Sequence, residues 1–188
     1  MNSKIPDTAS KRTITALVQD KPGVLNRVAS MFRRRGFNIE SLAVGKSEES
    51  DLSRMTFVVD GDDRTVEQVT KHLHKLIDVI KVSDISDQNI VSRELALIRV
   101  KVNIQTRAEV MQVVGLFRAN IIDVAPDSLI VEVVGDEDKI DSLHELLKEF
   151  GVVEVMRTGT IALNRGLEAA KKESRKSKHR NWGEAASV

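Results

Sequence analysis

The chain has no cysteine and no tyrosine, and among its 188 residues only three prolines and one tryptophan. Without cysteine there are no disulfides, no thiolate metal sites and no cysteine nucleophile. No apolar run approaches the roughly 20 residues of a membrane-spanning helix. Between Met1 and Arg12 Ile5 is the one large hydrophobic residue, too little for the apolar stretch of a secretory leader, so a cytoplasmic protein is expected. Parts for catalysis are equally scarce. His72 and His74 lie two apart on a predicted helix and point in different directions, and only His144 and His179 remain, so no zinc site is expected. No Gly-x-Ser-x-Gly elbow occurs. Gly45-Lys46-Ser47 resembles the end of a phosphate-binding loop, but Glu40 stands where that loop needs glycine, and a polar hairpin follows instead of a helix. Asp62-Asp63 and Asp136-Glu137-Asp138 precede predicted helices and read as caps. Neither a catalytic residue nor a metal is expected.

What is present is an ordinary mixture of 41% hydrophobic and 30% charged residues, spread unevenly in charge. Lys171 to Arg180 holds six Lys/Arg against one Glu, a local +5 that leaves −4 for the rest of a chain of net charge +1. With no aromatic residue before Trp182 to stack a base, residues 167–188 read as a solvated, disordered basic tail, and no nucleic-acid partner is expected. Residues 1–12 are likewise expected to be disordered.

The remainder repeats itself. Residues 13–86 read as strand, helix, strand, strand, helix, strand, and residues 93–159 repeat that order within a second domain at 93–166, after a linker at 87–92. Ile14 to Val18 is a β-rich run ended by Asp20-Lys21-Pro22-Gly23. Leu25, Val28, Ala29 and Phe32 then mark one helix face, Arg33 to Arg35 close it, and Gly36 fits the position just beyond a helix end. Phe37–Val44 and Arg54–Val59 form a hairpin. Thr65 to Gln68 fits a capping box for a helix carrying Val66, Val69, Leu73, Leu76 and Ile77, and Val79–Val82 is the fourth strand. In the second half, Leu95–Ile104 is a strand, Thr106 to Glu109 a capping box, and Val110, Val113, Val114 and Phe117 an apolar stripe. Ile121–Val124 pairs with Leu129–Val134, a helix follows on Ile140, Leu143, Leu147 and Phe150, and Val152–Val155 closes the unit. Phe37-Asn38-Ile39 aligns with Ile122-Asp123-Val124. The expected class is α+β, two ferredoxin-like βαββαβ units in tandem. Units of about 70 residues have small cores, and pairing of open sheet edges between copies relieves that, so a dimer is expected.

Two segments look built for a small ligand. Proline sits at the predicted first helical position, Gly23 beside it lets backbone approach closely, and the free N–H groups of the helix start favour a carboxylate. Asn38, entering the next strand, both donates and accepts. The two bracket one helix.

Asp20 to Leu25, Arg35 to Leu42, Ser53 to Thr56, Arg93 to Ile98 and Phe117 to Val124 together resemble the regulatory small subunit of acetohydroxyacid synthase (acetolactate synthase), with an N-terminal ACT domain at 13–86. The resemblance runs from Thr13 to about Gly166. It implies a subunit without catalysis or cofactor of its own. Its implied partner is a catalytic large subunit that uses thiamine diphosphate, Mg2+ and FAD to join two 2-oxoacids, and whose activity it raises. It further implies a homodimer through the ACT domain and feedback inhibition by a branched-chain amino acid, valine foremost. The implied effector residues are Asp20, Gly23, Val24, Leu25, Asn26, Asn38 and Ile39. An amino-acid-responsive transcription regulator built on the same domain is the alternative; it needs a basic recognition helix, and the one basic stretch is the tail.

Overall fold

In the computed structural model the described residues are 10–166. Ile14, Ala16 and Val18 alternate along β1 (Ser10–Gln19), and the period of two places all three on one face. Met55, Phe57 and Val59 do the same along β3 (Leu52–Gly61), which pairs antiparallel with β1. Two helices cover this face. α1 (Val24–Arg35) buries Val24, Val28, Met31 and Phe32, and α2 (Asp63–Leu73) buries Val66, Val69 and Leu73. Phe32 stacks on Phe57 with ring centroids 5.3 Å apart, which locks α1 to the sheet centre. β2 (Ile39–Lys46) and β4 (Val79–Asp84) complete the sheet in the order β2-β3-β1-β4, and among the described residues β2 is paired on one side only.

The second unit repeats this order as β6-β7-β5-β8, formed by β5 (Ile90–Lys101), α3 (Arg107–Leu116), β6 (Asn120–Val124), β7 (Ser128–Gly135), α4 (Glu137–Lys148) and β8 (Val152–Arg157). Ala96, Ile98 and Val100 of β5 and Leu129, Val131 and Val133 of β7 form its core with α3 and α4. Here a charged clasp supplements the apolar packing. Arg157 grips the buried Glu94 through both carboxylate oxygens, at 2.9 and 2.8 Å, and Asp141 of α4 at 2.7 Å. These carboxylates raise the Arg157 pKa, the Glu94 hydrogen bonds most of all. The chain divides into two compact units at Val91/Ser92, the segment from Ala162 falling with the first.

The α+β class and the tandem βαββαβ order are those expected; several boundaries differ. β1 starts at Ser10 and β5 at Ile90, so residues 10–12 and 90–92 belong to strands and not to a disordered end or a linker. β9 (Ile161–Asn164), unforeseen, pairs with β5. α2 is capped by Asp62, whose carboxylate accepts from the Thr65 N–H, and not by Thr65. That helix stops at Leu73; Leu76 still packs on the core, but Ile77 is 90% exposed. The basic tail and residues 1–9 lie outside the described residues.

Candidate functional site

At the end of β1 the chain turns tightly. Val24 N–H donates to the Lys21 carbonyl at 3.3 Å, and Gly23 sits at φ 87°, ψ −11°. Those angles and the Pro22-Gly23 order are those of a type II turn, whose third position favours glycine. The expected helix start shifts accordingly: Pro22 lies before the helix, because a residue at positive φ cannot be its first turn. α1 begins at Val24.

This start differs from the other three. Asp62 and Asp136 cap α2 and α4, accepting from the N–H groups of Thr65 and Lys139. Before α3 the Asn103 side chain accepts from the N–H groups of Gln105 and Thr106 at 2.8 and 2.9 Å, in place of the expected Thr106 cap. α1 has no side-chain cap, and the N–H groups of Leu25 and Asn26 meet no backbone acceptor among the described residues. They form the positive end of a helix dipole, left open to solvent. Asp20, just before the turn, is exposed, its own N–H held by the Asp51 carbonyl at 2.8 Å.

Of the expected effector residues, Leu25 and Asn26 are exposed and Ile39 is half-buried against the core. Val24 is 3% exposed with its side chain inside the core, so it presents backbone only. Asn38 lies at the opposite end of α1. Gly36, at φ 69°, ends the helix; Phe37 N–H returns to the Phe32 carbonyl at 3.1 Å, and the two rings meet edge to face. That lock delivers Asn38, exposed, to the start of β2. A 12-residue helix is about 18 Å long, so Asn38 and the Gly23 turn of one chain cannot touch the same small molecule.

The second unit clarifies the repeat. Arg118, at φ 50°, occupies the place of Gly36, and the bulge between Ile121 and Asp123 matches that between Ile39 and Ser41. The structural counterpart of Asn38 is therefore Asn120, and not the Asp123 of the sequence alignment. Asn120 donates to the Glu132 carboxylate at 3.1 Å. With its helix start capped and its asparagine engaged, the second unit lacks the open turn of the first. Gly45-Lys46-Ser47 closes β2 and opens no helix. Among the described residues no group of three His, Cys, Asp or Glu is placed to hold a metal ion.

Residues 14–81 match the model of the AHAS small subunit-like ACT domain, and residues 93–166 that of the small subunit of acetolactate synthase. A probable acetolactate synthase small subunit of Archaeoglobus fulgidus is 56% identical over 156 residues, covering 83% of this chain and 98% of that one. The chain belongs to the acetolactate synthase small-subunit family. Another family member, from Mycobacterium bovis, is 53% identical over 82% of this chain and 92% of its own. The crystal structure of the acetolactate synthase small subunit from Thermotoga maritima superposes with a TM-score of 0.78 at 42% identity, covering 84% of this chain and 98% of that one. The open turn thus lies within the ACT domain of a small subunit, which implies a catalytic large subunit as partner.

Missed by sequence reasoning was a pair at this end of the unit: Arg27 of α1 and Asp78, in the segment between α2 and β4, 2.6 Å apart. They lie 51 residues apart in the chain, and neither belongs to a local pattern.

Proposed function

We propose that this chain is the regulatory subunit of an acetolactate synthase, working in the cytoplasm. It binds the catalytic large subunit, which supplies thiamine diphosphate, Mg2+ and FAD. It raises that subunit's activity and makes it answer to a branched-chain amino acid, valine foremost. The observation that carries the reading is the uncapped start of α1: open N–H groups for a carboxylate, with an exposed Asp20 just before the turn for an ammonium group.

The site is completed by a second copy. β2 runs parallel to β1, since both are antiparallel to β3, so its end at Lys46 lies on the same side as the Gly23 turn. Ser41 to Gly45 carries no charge, which leaves this edge suited to pairing. When two β2 edges pair antiparallel, the start of one meets the end of the other. Asn38 of the second copy then arrives beside the turn, and Leu25 of the first copy and Ile39 of the second receive the branched side chain. A ligand seated across such a seam favours one dimer geometry over another, the requirement for altering a bound partner. Valine, leucine and isoleucine differ by methylene groups worth about 1–3 kcal/mol each, so pocket detail selects among them.

The test is calorimetry with the three amino acids, with and without the catalytic subunit, alongside sedimentation. Saturable binding of valine to a dimer is expected. A monomer that takes up none of the three overturns the proposal.

A further inference from the structure

Arg27 is held in a particular way. Its Nε donates to Asp78 Oδ2 at 2.6 Å, and the Asp78 side chain is only 10% exposed while that of Arg27 is half exposed. The Asp78 main-chain carbonyl also accepts the Gln19 N–H at 2.9 Å, which ties the backbone of this residue to the end of β1. Neither Nη of Arg27 has a partner among the described residues. Nη1 lies 3.5 Å from the point where a Cβ on Gly23 would stand, directly over the bare face of the turn.

A guanidinium fixed through Nε, with both Nη groups unspent, is a fork for a carboxylate. Its buried partner holds it in one direction before any ligand arrives, which removes most of the ordering that binding would otherwise require. Just before the turn comes Asp20, exposed and with no side-chain partner among the described residues. Anion and cation thus stand in one stretch of chain, at the entry to the turn and in the first coil of the helix that follows it. That is the charge pattern of a free α-amino acid in reverse.

We propose that Arg27, positioned by Asp78, binds the effector's α-carboxylate, and that the site therefore selects free amino acids over their amides and esters. This rests on the reading that the Gly23 turn is the effector site. The N–H groups of Leu25 and Asn26 then share the carboxylate with Arg27, and Asp20 takes the ammonium.

The experiment is calorimetry on the full chain with its catalytic subunit, using valine and valinamide as probes. The unaltered protein should bind valine at least 30-fold more tightly than valinamide. Arg27→Gln should weaken valine by about 10- to 100-fold and bring the valine-to-valinamide ratio close to one. Asp78→Asn should lower the same ratio less, because the fork remains but is no longer aimed. Arg27→Lys keeps the charge and the stem and should recover part of the ratio; it also serves if Arg27→Gln fails to fold, as circular dichroism would reveal. A purely structural ion pair would lower melting temperature and affinity for both probes while leaving the ratio intact, and that result overturns the proposal. Unchanged valine binding by Arg27→Gln overturns it as well, with the effector site still standing. An unaltered protein that binds no branched-chain amino acid overturns both.

Discussion

Gly23→Ala isolates what the turn requires. A Cβ there would come no closer than 3.5 Å to its nearest neighbour, Arg27 Nη1, which is ordinary contact, so crowding contributes little. The cost arises from backbone conformation, because Gly23 stands at φ 87°. Placing an L-residue with a Cβ in left-handed geometry costs about 1–2 kcal/mol. For a unit of this size each kcal/mol shifts the melting temperature by roughly 4–8 °C, so a fall of about 5–15 °C is expected. Gly23→Asn is the companion, since asparagine visits this region more readily and should recover roughly half of the loss. Thermal melts followed by circular dichroism give the stabilities, and valine titrations give the site. Valine binding should weaken in both variants, since each places a side chain on the bare face of the turn. If Gly23→Ala melts with the parent, the positive φ is not a constraint. If Gly23→Asn is worse than Gly23→Ala, bulk over the turn outweighs conformation. Either outcome refutes the reasoning.

Asn38→Ala should abolish inhibition by valine in assays of the assembled complex, with activation in the absence of valine reporting assembly; inhibition persisting at the parental valine concentration would exclude this residue. Glu94→Ala should destabilise the second unit by about 2–3 kcal/mol in urea melts, less than the full figure for a buried pair because the Arg157 side chain remains 32% exposed. Glu48, in the β2–β3 hairpin, is held down to about 2 by a hydrogen bond from its own backbone and then by Arg54 and Ser47. Its folded pKa lies below the ordinary 4.5, so its contribution is complete above pH 4.5 and disappears as pH falls toward 2. Because its side chain is 69% exposed, that contribution is about 0.2–1 kcal/mol; the stability gap between the parent and Glu48→Gln, measured across that range, should close at the acid end.

The order of elements was legible because each core-facing set is periodic within one segment: Ile14, Ala16 and Val18 by twos, Val28 and Phe32 by fours. The turn between β1 and α1 was legible from the Pro22-Gly23 pair, although the helix behind it begins at Val24 and not at Pro22. Features that depend on distant partners were not. The Arg27–Asp78 clamp joins residues far apart in sequence. β9 is a short run whose pairing along β5 no local pattern announces. The caps expected at Thr65 and Thr106 fall instead at Asp62, already read as a capping residue, and at Asn103; backbone geometry alone decides which side chain reaches a free N–H. Matching of the repeats slipped for a related reason: Arg118 takes a left-handed conformation that sequence alone assigns to glycine.

The length of α1 has a genetic corollary. If every binding pocket borrows its turn from one copy and its asparagine from the other, two defective alleles can rescue each other. A copy carrying Arg27→Gln, joined to one carrying Asn38→Ala, concentrates both lesions in a single pocket and leaves the opposite pocket whole. Cells expressing the two together would regain part of a sensitivity that neither allele confers alone.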